Sequence, residues 1–156
     1  HLPGAGRELE ACKRLAQRLG VEGLVEFPGQ LNRDAIFDLY QECDFAISPA
    51  NTETFGYCIA EPYTLGMVVL TRPIGVAEDL IRHGETGFLF RTEDDLADLM
   101  GRVLSPSADL SPVRRRAFEN RSCLDWDVIN RQYMAIVAED LQGVRVPAGQ
   151  ELEARG

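Results

Sequence analysis

Two glutamates frame the stretch NTETFGYCIAEPYTLG (51–66). Glu53 and Glu61 are separated by seven residues, with Phe55-Gly56 between them. Two carboxylates at such a spacing admit three chemistries: solvated charges of a surface helix, a hydrolytic acid/base pair, or two posts of a ligand site. If every intervening residue were helical, a rise of ~1.5 Å per residue would part them by ~12 Å. Carboxylate pairs that hydrolyse glycosidic bonds stand ~5–9.5 Å apart, so the spacing disfavours a glycosidase. Gly56 has no Cβ, so a ligand can approach the backbone there, and a helix N-terminus beside it favours an anion. A phosphate near residues 54–57, with a carboxylate on each side for sugar hydroxyls, fits a nucleotide sugar.

The elements that must position this stretch follow from periodicity. Leu9, Cys12, Leu15, Ala16 and Leu19 share one helical face over 7–20. GLVEFPG (23–29) predicts a short strand ended by Pro28-Gly29, and 33–43 returns to helical spacing through Ile36, Phe37, Tyr40 and Cys43. Residues 44–50 predict a strand stopped at Pro49, 56–66 a short helix and 67–71 a buried strand. A helix over 76–84 and an extended 86–90 come next. Apolar residues at 96, 99, 100, 103 and 104 predict another helix, and a Pro/Ser-rich joint (105–112) leads to one from Pro112 to about Arg121. The final helix, 126–142, is expected to turn Trp126, Ile129, Tyr133, Ile136 and Val137 inward, ahead of a flexible tail (143–156). Strands alternating with helices predict an α/β fold, a parallel sheet with helices on both faces. Ligands of such sheets bind outside the carboxyl ends of the strands, where the glutamate stretch begins.

Composition narrows the partners. The 25 acidic and 16 basic residues give a formal charge of −9, which repels nucleic acid. The four cysteines form no C-x-x-C and no zinc pattern, and their apolar or helical contexts predict buried free thiols in a reducing, cytoplasmic setting. No run is apolar enough for a transmembrane segment. His83, at the expected end of helix 76–84, is read as a C-terminal cap, and Gly4-Ala5-Gly6 as a turn.

With these residues in view, the segment resembles the signature of retaining, nucleotide-sugar-dependent glycosyltransferases of the GT-B family. Pro49, Glu53, Phe55, Gly56, Glu61 and Gly66 occur in the signature's order. The segments 23–31, 74–90 and 126–133 resemble other parts of that family, so the likeness runs over roughly residues 4–140. It implies a Rossmann-like domain over 1–142, the C-terminal donor-binding half of such an enzyme. By resemblance, Glu53 is the catalytic post beside the donor sugar and Glu61 holds the ribose hydroxyls. The amides of Phe55, Gly56 and Tyr57 cradle the diphosphate, the backbone at Gly29 and Leu31 frames the base, and Gly75 lies near the donor. The implied reaction uses no cofactor and no metal, the protein itself stabilising the leaving diphosphate.

Departures from the family pattern carry their own expectations. Pro62 stands inside the helix, which should start late or kink. Thr54 is expected to tighten the sugar site, and Ile74 replaces a glycine. The family's Arg/Lys pair is absent, and a basic pair upstream of His1 would separate the enzyme from a module that has lost it. The N-terminal acceptor-binding domain, this domain's expected partner, is absent too. The chain is expected to begin after the family's first strand–helix unit and nearly all of the second strand. That predicts a gap in the sheet between strands 23–27 and 44–48, and no transfer by this chain alone. The competing reading is a non-catalytic or regulatory module that keeps the GT-B fold.

Overall fold

The computed structural model describes residues 1–143, with side chains to residue 138. The expected tail (143–156) lies outside the described residues, apart from Gly143 at the end of the last helix. The elements run α1 (Leu9–Arg18), α2 (Arg33–Glu42), β1 (Phe45–Ser48), α3 (Tyr57–Thr64), β2 (Val68–Thr71), α4 (Ala77–Leu80), β3 (Phe88–Leu89), α5 (Glu93–Val103), α6 (Ser111–Asn120), a 3-10 turn (Arg121–Leu124) and α7 (Trp126–Gly143).

The three strands form one parallel sheet in the order β1-β2-β3. Successive strand residues point to opposite faces, and each face meets its own apolar cluster. Ala46, Val69 and Leu89 pack with Ile59, Tyr63, Ala77, Leu80 and Ala117. Phe45, Val68, Leu70 and Phe88 pack with Phe90, Leu99, Val103 and Val113. Every residue of β2 is fully buried. The sheet is therefore covered on both sides, as the continuous apolar run at 67–71 predicts.

The N-terminal part departs from expectation. No strand forms over 23–27. Val25, Phe27 and Gly29 alternate in exposure with their neighbours, as extended chain does, but this segment has no strand alongside it. Its carbonyls instead accept from Leu2 N (at Glu26, 2.8 Å) and Gly4 N (at Gly29, 2.7 Å). Among the described residues β1 therefore stands at the sheet edge, with Ile47 exposed. α1 buries only Ala16 and α2 buries no residue.

Two further expectations fail for the same reason. Cys12, Cys58 and Cys123 are exposed and Cys43 is half-buried, because a helical context buries a thiol only when another layer covers it. Trp126, Ile129, Tyr133 and Ile136 are likewise exposed, since no described element covers that face of α7.

The helix expected over 76–84 is a single turn. Thr86, itself buried, stops it: its hydroxyl donates to Leu80 O at 2.8 Å and accepts from Arg82 N at 2.9 Å. His83 consequently does not cap a helix; its Nδ1 accepts from Leu89 N at 3.1 Å and ties the loop to β3. α5 opens on a reciprocal cap, Thr92 Oγ1 accepting from Asp95 N and Asp95 accepting from Thr92 N. Pro62 does lie inside α3, where it is buried under the sheet and denies Cys58 O its usual donor.

Candidate donor site

The loop between β1 and α3 carries Glu53, Phe55 and Gly56, at the carboxyl end of β1. Gly56 makes the transition into the helix with a left-handed backbone (φ 99°). A Cβ there would meet Ile59 Cδ1 at 3.2 Å, so both conformation and space favour glycine. The amides of Phe55, Gly56 and Tyr57 give no hydrogen bond to a backbone carbonyl among the described residues. They form an unsatisfied donor group at a helix N-terminus, electrostatically suited to an anion. The rings of Phe55 and Tyr57 lie 5.0 Å apart and are both exposed.

A second loop, between β2 and α4, locks the first. Val76 N donates to Phe55 O at 2.8 Å. Gly75, at φ 52°, is so close that a Cβ would fall 2.6 Å from Phe55 O and 3.3 Å from Glu53 Cβ. Arg72, only 16% exposed in its side chain, fastens the base of both loops. Its guanidinium donates to Pro49 O (3.3 Å), to Arg91 O and to Glu93 (2.8 Å), and lies over the Phe90 ring. Gly75 therefore acts on the Glu53–Phe55 backbone directly. Periodicity gives no sign of Arg72, whose three anchors are distant in sequence.

The two glutamates have different surroundings. Glu53 faces α3 from the loop, its Oε1 3.5 Å from Cys58 Sγ. Glu61, on α3 itself, faces α2: Arg33 Nη2 lies 3.9 Å from its Oε1. Tyr40, on the same helix, adjoins Glu61. Desolvation and the Glu61 carboxylate push the Tyr40 phenol up to about 12, so it remains a donor at neutral pH. Among the described residues the two carboxylates share no hydrogen-bond or ion-pair partner. Gly29 and Leu31 lie in the loop that leads, through the Asn32 cap, into α2. That places the expected base-framing segment on the Glu61 side, next to Arg33.

The profile of the family described as glycosyl transferases group 1 matches residues 1–120 of the 156. The chain belongs to the glycosyl transferases group 1 family. In fold it is the C-terminal, Rossmann-like part of a GT-B glycosyltransferase. Relatives include the D-inositol 3-phosphate glycosyltransferase of Streptomyces avermitilis, 29% identical over 122 residues, 76% of this chain and 26% of that one. The protein of the same description from Streptomyces coelicolor is 30% identical over 122 residues, with the same two coverages. The chain thus spans about a quarter of the length of these curated relatives. Among solved structures, Anabaena HepE in complex with UDP and glucose superposes with a TM-score of 0.70 at 26% identity, over 92% of this chain and 40% of that one. The C-terminal domain of the group 1 protein LpcC from Francisella tularensis gives 0.64 at 20% identity, over 78% of this chain and 65% of that one, a likeness of fold.

Within this glycosyltransferase domain, no helix among the described residues is long and apolar enough to cross a membrane. Nor do three or more His, Cys, Asp or Glu side chains converge there as metal ligands do.

Proposed function

We propose that this chain is the donor-binding part of a retaining glycosyltransferase, which moves a sugar from a nucleotide sugar to an acceptor. The observation that carries the reading is the α3 N-terminus. Unbonded amides of Phe55, Gly56 and Tyr57 sit beside Glu53 at the carboxyl ends of the strands, in a loop locked by Gly75 and Val76. The UDP and glucose bound to HepE support a nucleotide-sugar donor.

In this reading the bond from the anomeric carbon to the distal phosphate oxygen breaks, the acceptor hydroxyl oxygen bonds to that carbon on the same face, and its proton passes to the departing diphosphate. The amides receive the charge that grows on the departing diphosphate, where fixed donors need no reorganisation. Glu53 faces the sugar, Glu61 accepts from the ribose hydroxyls, and the backbone at Gly29 and Leu31 frames the base. The reaction proceeds without a metal. The acceptor is bound by an N-terminal domain of the same enzyme, which works in the cytoplasm.

Titration of the protein with UDP, GDP and ADP, followed through its amide NMR signals, tests the donor site. One nucleotide should shift Gly29, Phe55–Tyr57 and Glu61. Glu61→Ala should weaken it about 10- to 100-fold, the scale of hydrogen bonds to a charged group. A folded protein that ignores all three would overturn the reading in favour of a non-catalytic module. In the whole enzyme, an inverted anomeric product would exclude retention, and loss of turnover in EDTA would exclude the metal-free route.

A further inference from the structure

Between the sheet and the catalytic loop runs a short chain of side chains, Ser48–Cys58–Glu53. Ser48 ends β1 and is buried; its Oγ lies 3.5 Å from Cys58 Sγ and has no other hydrogen-bond partner among the described residues. Cys58 Sγ is in turn 3.5 Å from Glu53 Oε1, and both separations lie within sulfur's hydrogen-bond reach. An ionised carboxylate only accepts, so the single thiol hydrogen must point at Glu53. The Ser48 hydroxyl must then donate to the sulfur. All donors run the same way, from rigid strand through helix to loop, and each bond polarises the next.

We propose that Cys58 is a positioning residue for Glu53, its thiol holding the carboxylate toward the donor site while Ser48 holds the thiol. The role of Glu53 rests on the donor-site reading; the contact itself rests on geometry alone. The electrostatics agree. Although Cys58 as a residue is exposed, its sulfur turns back between Ser48 and Glu53, and desolvation pushes the thiol above its ordinary value. Ser48 acts in the opposite direction, and Glu53 adds to the rise. The group therefore keeps its proton, and with it the donor function, at neutral pH. Orientation matters because Glu53 sits on a loop, where Gly75 fixes its backbone but not its side chain.

The test follows the alkylation of Cys58 by iodoacetamide against pH, resolved from the other three cysteines by mass spectrometry. Glu53→Gln should lower the midpoint and Ser48→Ala should raise it. The fall in Glu53→Gln reports the carboxylate beside the thiol and the rise in Ser48→Ala reports the hydroxyl bond to it; a midpoint unmoved in either variant would overturn the proposal. A second measurement avoids perturbing either neighbour. The S–H stretching band of Cys58, isolated by difference against Cys58→Ser, should lie at the lowered frequency of a donating thiol, and a free-thiol frequency would overturn the contact. In the transfer reaction of the whole enzyme, Cys58→Ala should reduce kcat about fivefold with the donor KM unchanged. Cys58→Ser should restore most of it, because serine also donates. If kcat is untouched, Cys58 does not position Glu53 for chemistry. If no nucleotide binds, the donor reading falls instead, while the two thiol measurements still decide the contact.

Discussion

Gly75 offers the sharpest residue-scale test, because its contact is with backbone and not with a side chain that could swing away. A methyl group 2.6 Å from Phe55 O cannot be accommodated without moving one of the two loops. Its left-handed φ adds a cost of its own. Gly75→Ala is expected to destabilise the protein by about 1–3 kcal/mol, measured by urea denaturation. Nucleotide affinity should fall as well, even where the protein remains folded, because Val76 N would lose its hold on Phe55 O. Unchanged affinity in folded Gly75→Ala would mean that the loops are not locked. At this scale the sequence was partly legible. Glu53, Phe55, Gly56 and Glu61 are separated by few residues, so their grouping on the β1–α3 loop and α3 could be read from their order. Arg72 and Ser48 were not legible, because each acts on partners that only the folded sheet brings near.

Among the elements, strands and helices whose apolar pattern meets a partner layer were readable: β2, α5 and α6 lie within a few residues of expectation. Those that failed did so through side chains or missing neighbours. The strand expected over 23–27 has the alternation but no flanking strand, and the helix over 76–84 is cut to one turn by Thr86. Thr86→Val keeps the shape and removes both hydroxyl bonds, leaving Leu80 O without its donor. It is expected to cost about 1–3 kcal/mol, seen as a lowered denaturation midpoint. A loss within error would show that the hydroxyl is not what ends α4. At the start of α5, amides of Arg91 and Thr92 donate to Asp95 and hold its carboxyl below the usual carboxylate range. A carboxyl lowered on folding stabilises the fold above its unfolded value, and the contribution disappears as pH falls through the folded value. The stability gap between wild type and Asp95→Asn should therefore be widest near neutrality and close in acid. A gap that does not change with pH would refute the charged cap.

For the molecule as a whole, burial is uneven. The sheet, α3 and α4–α6 share two clusters, whereas α1 and α2 bury almost nothing. Amide hydrogen exchange should follow that gradient, slowest in β2 and faster in α1 and α2. Equal protection of α2 and β2 would mean that α2 is packed in solution far better than its exposure indicates. Glu61 faces α2 and Glu53 is tied to the sheet through Cys58; on the donor-site proposal, the sugar side would be anchored and the nucleoside side loose. The backbone latch between Phe55 and Val76 has one more consequence, for protein engineering. Surface loops are usually exchanged singly between homologues to alter substrate preference, but here residues 51–56 and 72–76 share a bond and a contact too tight for any side chain. A graft of either segment alone would bring a mismatched half. Donor preference in this scaffold should be portable only when the two loops travel together.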